Sequence, residues 1–171
     1  MTRALMGFIL GLLVLPVGGL LYFKYGTPPV AAGDPQLPFE AQIVRIPLGA
    51  RIAREMPATV PIPADDANLG AGAALYVVQC AACHGLPARP SSFAAGMFPH
   101  APQLFARHGD VVGVSDDEAG ESYWKIANGI RLTGMPAYKK VLSDNEIWQV
   151  TLLVAHADKL SPDIQARLAP K

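Results

Sequence analysis

The 171-residue chain has two cysteines, and both fall in the run Cys80-Ala81-Ala82-Cys83-His84. Two thiols separated by two residues and followed at once by an imidazole admit four chemistries. A disulfide here would close so short a loop that it restrains little unfolded-state entropy. A thioredoxin-like redox pair needs a βαβ setting, which the flanking sequence lacks. A zinc site needs four ligands, and Cys80, Cys83 and His84 supply only three, with no second cysteine pair. The fourth chemistry is covalent haem. Cys-x-x-Cys-His is the attachment signature of c-type haem: each thiol adds to one vinyl group, and the adjacent histidine falls beneath the iron. The motif therefore predicts one haem c, bound through Cys80 and Cys83, with His84 as the proximal iron ligand.

A low-spin electron carrier needs a second strong axial ligand. Downstream of the motif the choices are Met97, Met135, His100, His108 and His156. Met135 sits in Asn128-Gly129-Ile130-Arg131-Leu132-Thr133-Gly134-Met135-Pro136. A glycine before it and a proline after it make a stiff turn that holds a thioether toward iron. Met97 has a looser setting, His100 lies between Pro99 and Pro102, and His108 precedes Gly109 in a solvated-looking turn. His156 sits at the end of a predicted helix, where surface or packing roles are commoner. Met135 is the expected sixth ligand, and methionine ligation raises a haem's potential relative to paired histidines.

The elements that must position these residues follow from the rest of the chain. Ala4 to Phe23 runs twenty residues without a charge, enough for roughly 30 Å of helix, the thickness of a bilayer core. Arg3 and Lys24 bracket it, and Tyr22 and Tyr25 suit the interface. A cleaved signal peptide is the competing reading, but the apolar region is long for one and no small-x-small site follows directly. Residues 1–25 are therefore expected to be a transmembrane anchor. Residues 26–67 hold eight of the 16 prolines and read as a proline-rich tether; a relaxed coil of that length spans about 35–40 Å. Within it, residues 39–55 mix apolar side chains with Arg45, Arg51 and Arg54. They predict a short helix lying on lipid, on a partner, or back on its own domain.

Residues 68–171 are expected to form the folded domain. An alanine-rich helix runs over 67–79 into Cys80. Residues 85–114 lack a period and read as loop. Ser115-Asp116-Asp117-Glu118 and Ser143-Asp144-Asn145-Glu146 each have a capping-box pattern, and each predicts a helix behind it. No segment has clean strand alternation, so the fold class is all-α with long loops. Such a domain buries little apolar surface and calls for a cofactor. Formal net charge is +0, which excludes the basic footprint of a nucleic-acid binder. Beyond residue 68, nine Lys and Arg balance nine Asp and Glu, so net electrostatic steering is weak. Lys139 and Lys140 form a local cationic pair.

Gly72-Ala73-Ala74-Leu75-Tyr76 leading into Cys80-Ala81-Ala82-Cys83-His84-Gly85 resembles the first helix of a class I cytochrome c. Gly134-Met135-Pro136, followed by a capped helix with Trp148, resembles its distal half. Asn128 to Tyr138, with Tyr123-Trp124 before it, is similar to membrane-anchored monohaem cytochromes of bacteria. This likeness implies a helical domain around one haem, with its first and last helices crossing at Gly72 against an aromatic such as Trp148. It implies that His84 donates its other ring proton to a carbonyl in a proline-containing loop, marked by Pro87 or Pro90. It also makes Tyr76, Trp124 and Arg131 candidate haem contacts. The function implied is a non-enzymatic one-electron carrier tethered to the bacterial inner membrane, with its haem domain in the periplasm. Its redox partners would be a quinol-oxidising complex, a terminal oxidase or a dehydrogenase. The alternatives are a haem enzyme or gas sensor with an open distal site, and a fixed haem subunit of a larger respiratory complex.

Overall fold

The computed structural model describes residues 2–169. Lys171, counted above among the cations, and the Arg3 side chain that brackets the anchor lie outside the described residues. The chain packs as two compact units, Met1–Pro38 and Phe39–Lys171. The first holds helix α1, Thr2–Tyr25, which runs through Pro16 without a break. Leu5–Tyr25 has a mean hydropathy of 2.2, and it is long and apolar enough to cross a membrane. A turn follows, in which the Asp34 carboxylate accepts from the Val30 and Ala31 amides at 2.8 and 2.9 Å.

The second unit is helical, as the sequence predicts. It contains α2 (Glu40–Glu55), α3 (Asp66–Gln79), the single turn α4 (Ala81–His84), α5 (Ala119–Asn128), α6 (Asp144–Ala155) and α7 (Pro162–Arg167). Compact packing thus begins at Phe39 rather than at residue 68, because α2 lies against α5. Ile52 of α2 is buried, and the Trp124 indole donates to the Glu55 carboxylate at 3.0 Å. The Arg51 guanidinium stands over the same indole at 5.9 Å. That hydrogen bond, followed by one from Arg51, holds the Glu55 carboxyl below its usual range.

The core lies where α3 crosses α6. Tyr76, Ala73, Ile147, Leu153, Ile164 and Leu168 are fully or almost fully buried there, each large apolar side chain contributing about 1.5–3 kcal/mol. The crossing is close because Gly72 lacks a side chain: a Cβ there would stand 2.2 Å from the Gln149 carbonyl oxygen. Gly72 therefore meets the α6 backbone at Gln149 and Val150. The Trp148 ring stacks on Tyr123 of α5, with centroids 4.2 Å apart and planes 23° apart.

The helix starts divide by their caps. Asp65 caps α3 by accepting from the Asn68 amide at 2.9 Å. The second capping box forms in full: Ser143 and Glu146 exchange both hydrogen bonds at the head of α6. The first does not form. Residues 115 to 117 take a turn, the Ser115 hydroxyl accepts from the Val112 amide at 3.2 Å, and α5 starts later with Glu118 in extended backbone. Two features fall outside the sequence expectation. Arg107–His108 and Val111–Val112 pair as an antiparallel ladder around Gly109, too short to produce an alternating pattern. Helix α7 packs on α3, with Pro162 at its start, a position whose missing amide hydrogen costs nothing.

Candidate functional site

Cys80 closes α3, and the chain makes one further turn so that Cys83 and His84 follow on the same side. Gly85 ends that turn at φ +73°, a left-handed conformation glycine takes without strain. A Cβ there would also stand 3.1 Å from the Arg89 carbonyl oxygen. Four side chains lock the turn. The buried Tyr76 hydroxyl donates to the Gly85 carbonyl at 2.8 Å. The Gln103 amide donates to the Cys83 carbonyl at 3.1 Å and accepts from the Ser91 amide at 2.7 Å. Ser91 also donates to the Ala82 carbonyl. The Tyr138 hydroxyl donates to the Gln79 carbonyl at 2.6 Å, satisfying an orphan acceptor at the end of α3.

His84 Nδ1 lies 2.8 Å from the Pro102 carbonyl oxygen. A carbonyl only accepts, so Nδ1 carries the proton and Nε2 keeps its lone pair, the tautomer a metal-binding histidine needs. The loop that orients the ring is thus the one at Pro102. Pro87 instead lies within the turn closed by Leu86 and Arg89, and Pro90 follows that turn. Burial lowers the His84 pKa, and the bond to Pro102 opposes that shift. Burial, reinforced by Cys83, pushes the Cys80 thiol up to about 12. Burial likewise raises the Tyr138 phenol to about 12, with the two thiols adding to the shift.

Met135 reaches the same place from the other direction. Gly129 ends α5 at φ +66°, and a Cβ on it would stand 2.7 Å from the Met135 carbonyl oxygen, so the turn folds tightly back on itself. Thr133 pins the turn by donating to the Ile130 carbonyl at 2.7 Å and accepting from the Met135 amide at 3.1 Å. Leu132, at φ +62° and 90% exposed, is its solvent-facing tip.

Cys80, Cys83, His84 and Met135 line one mostly apolar cavity, together with Tyr76. Met97 and His100 line it too. The Met97 methyl sits against Gly134, where a Cβ would approach it to 2.6 Å, and His100 Nδ1 is bound to the Ala94 carbonyl at 2.8 Å. His108 lies exposed in the two-residue ladder, and His156 Nδ1 bonds the Leu152 carbonyl at 2.9 Å; neither lines the cavity. Trp124 and Arg131 do not line it either. The Trp124 N–H is taken by Glu55, and Arg131 is exposed. Lys139 donates to the Asn128 side chain at 2.7 Å. Sequence reasoning missed Pro102, Gln103 and Leu48, which meet the motif or the cavity only through the fold, and Lys125, a cavity-lining cation bridged to Glu121 at 2.6 Å.

The donor set fits a haem. Two thiols, a histidine with a free Nε2 and a thioether open onto a single apolar space, and no buried side-chain polar atom lacks a partner among the described residues. Among the described residues no group of three or more His, Cys, Asp or Glu side chains is arranged to hold a bare metal ion. Residues 67–153 match the family model described as cytochrome C oxidase, cbb3-type, subunit III. No curated protein and no solved structure matches the chain.

Proposed function

The chain belongs to the cytochrome c family represented by subunit III of the cbb3-type oxidase, and on that premise we propose that it is a membrane-tethered periplasmic carrier of single electrons. The observation that carries this reading is the pair of poised donors on one cavity: His84, with Nδ1 fixed on the Pro102 carbonyl, and Met135, held in a pinned turn. In the proposal Cys80 and Cys83 would hold one haem c covalently, and His84 Nε2 and the Met135 sulfur would bind its iron. Bound there, the haem iron supplies a one-electron couple. The protein's own part is positional. Pro102 orients the imidazole and raises its basicity. Tyr76 and Gln103 keep the motif turn from shifting, and Thr133 keeps the thioether in place. Apolar walls exclude water and tune the potential. With His84 and Met135 both bound to the iron, no position would stay open to a substrate, which suits electron transfer and not catalysis at the metal.

In the proposal helix α1 is the anchor, with its start cytoplasmic and the haem domain periplasmic, the side of a bacterial inner membrane on which covalent haem attachment is carried out. Anchoring raises the domain's effective concentration near redox partners in the same membrane. The family's description favours a second reading, a fixed haem subunit of a larger respiratory complex. The test is the full chain matured with haem. Denaturing extraction should leave the chromophore on the protein, and voltammetry should show a reversible one-electron wave that carbon monoxide does not alter. Haem lost on extraction from the intact chain would overturn covalent attachment, and carbon monoxide binding would overturn the closed-iron carrier. Co-purification of a constant set of partners in mild detergent would select the fixed-subunit reading.

A further inference from the structure

Helix α2 has two apolar faces. Leu48 and Ile52, four residues apart, point into the second unit: Ile52 is buried and Leu48 lines the cavity of the candidate site. At 100° per residue, Ile43, Ile46 and Ala50 fall on the opposite face. Ile43 is 62% exposed and Ile46 71%, and Phe39, at the helix start, is 73% exposed. No described residue covers this stripe. Arg54 borders it and is exposed, while Arg45 and Arg51 lie nearer the inner face, Arg51 over the Trp124 indole. The helix is firmly held from its inner side by the Trp124–Glu55 bond. Close passage of Pro57 over Gly120, where a Cβ would meet the Pro57 carbonyl oxygen at 2.2 Å, holds the segment behind it.

We infer that the outer face of α2 is a lipid-docking surface, seated at the interface of a bilayer that carries anionic headgroups. Two observations choose lipid over a protein partner. First, the membrane-length helix α1 ends at Tyr25, and the 13 residues 26–38 reach at most about 45 Å when extended, so a bilayer holding α1 is always within range of α2. Second, the stripe has the make-up of an interfacial helix: bulky apolar residues on one face, Arg54 at its margin, and neither acidic residue of the helix, Glu40 or Glu55, within it. Arg54 complements anionic headgroups while the isoleucines enter the acyl boundary. Docking this way holds the cavity about one helix diameter, roughly 10 Å, from the interface, because Leu48 faces the cavity from the other side of the same helix. The inference adds to the carrier proposal a defined orientation toward membrane-embedded redox partners.

The test uses the full chain, matured with haem and reconstituted into nanodiscs containing phosphatidylglycerol. Single cysteines at Ile43→Cys, Ile46→Cys and Ala50→Cys carry a spin label, with Val141→Cys, an exposed position remote in sequence, as control. At 43, 46 and 50 the label should be at least three times more accessible to oxygen than to a water-soluble nickel reagent, and at 141 it should not. A diazirine-bearing lipid added to the unsubstituted chain should crosslink within residues 39–50. Water-like accessibility at all four positions, together with no crosslink, would overturn the inference. Protection that appears only when other membrane proteins are added would overturn it in favour of a protein partner. The visible haem spectrum, recorded on every variant, reports separately on the carrier reading, since the labelled positions lie outside the haem-ligating set.

Discussion

Gly72→Ala probes the crossing that brings α3, and with it the Cys80–His84 turn, onto α6. Helix propensity alone favours alanine by about 1 kcal/mol. The structure opposes this with a Cβ 2.2 Å from the Gln149 carbonyl oxygen and 2.7 Å from its carbon. Both atoms belong to the backbone of α6, so relief requires the two helices to separate by about 1 Å, with loss of dispersion contacts along the buried Ala73, Val150 and Leu153. Overpacking of this kind costs typically about 1–3 kcal/mol. A backbone contact this short puts the cost at the upper end of that range, and after the propensity gain the net loss is about 2 kcal/mol, which lowers the Tm of a unit this size by roughly 8 °C. The assay is denaturant unfolding of the haem-loaded chain, followed by the haem absorbance and by far-UV circular dichroism. Gly70→Ala is the matched control, since its Cβ would meet the movable Arg167 side chain at 3.0 Å. It should change stability by less than half as much. If Gly72→Ala were as stable as the parent, or more stable, propensity would have won and the close backbone crossing would be refuted.

Tyr76→Phe removes the donor to the buried Gly85 carbonyl and should cost about 1–3 kcal/mol in the same unfolding assay. An unchanged midpoint would mean that the hydroxyl does not hold the motif turn. Ser143→Ala breaks the capping box of α6 and should cost about 1 kcal/mol, with faster hydrogen exchange confined to the first turn of that helix. The pH dependence of α2 docking follows from Glu55, whose folded-state pKa lies below its ordinary 4.5. Its contribution is complete above about pH 4.5 and disappears as pH falls through the lower folded value, so hydrogen exchange in Glu40–Glu55 should quicken there while α6 stays protected. Trp124→Phe should produce the same loosening at neutral pH and shrink the pH effect to the part that Arg51 and Arg54 supply.

What the sequence disclosed was set by how local each signal is. The haem motif, the alanine-rich α3 and the capping box of α6 each sit within a few residues, and each can be read directly. The glycine–methionine–proline turn is similarly local, and its strap, Thr133, lies inside it. The Ser115 pattern misled because the same hydroxyl was drawn into a turn with Val112, a competition that serine side chains regularly enter. The proline that serves His84 was beyond reach for a different reason. Three proline loops follow the motif, and only the fold decides which carbonyl meets Nδ1. Helix α2 was foreseen as a helix but not as a wall of the site, because Glu55 and Trp124 meet across 69 residues of chain. His100 and Met97 share the cavity with Met135, so sequence context favours Met135 among them and the pinned turn supplies its physical support.

The most direct measurement is the visible and near-infrared spectrum of the haem-loaded chain beside that of Met135→Ala. The account predicts a low-spin haem whose weak far-red ferric band, the mark of thioether ligation, disappears in the variant while the protein stays folded. A high-spin haem that binds carbon monoxide and is indifferent to the substitution would contradict it, removing Met135 from the iron and the closed-site carrier with it.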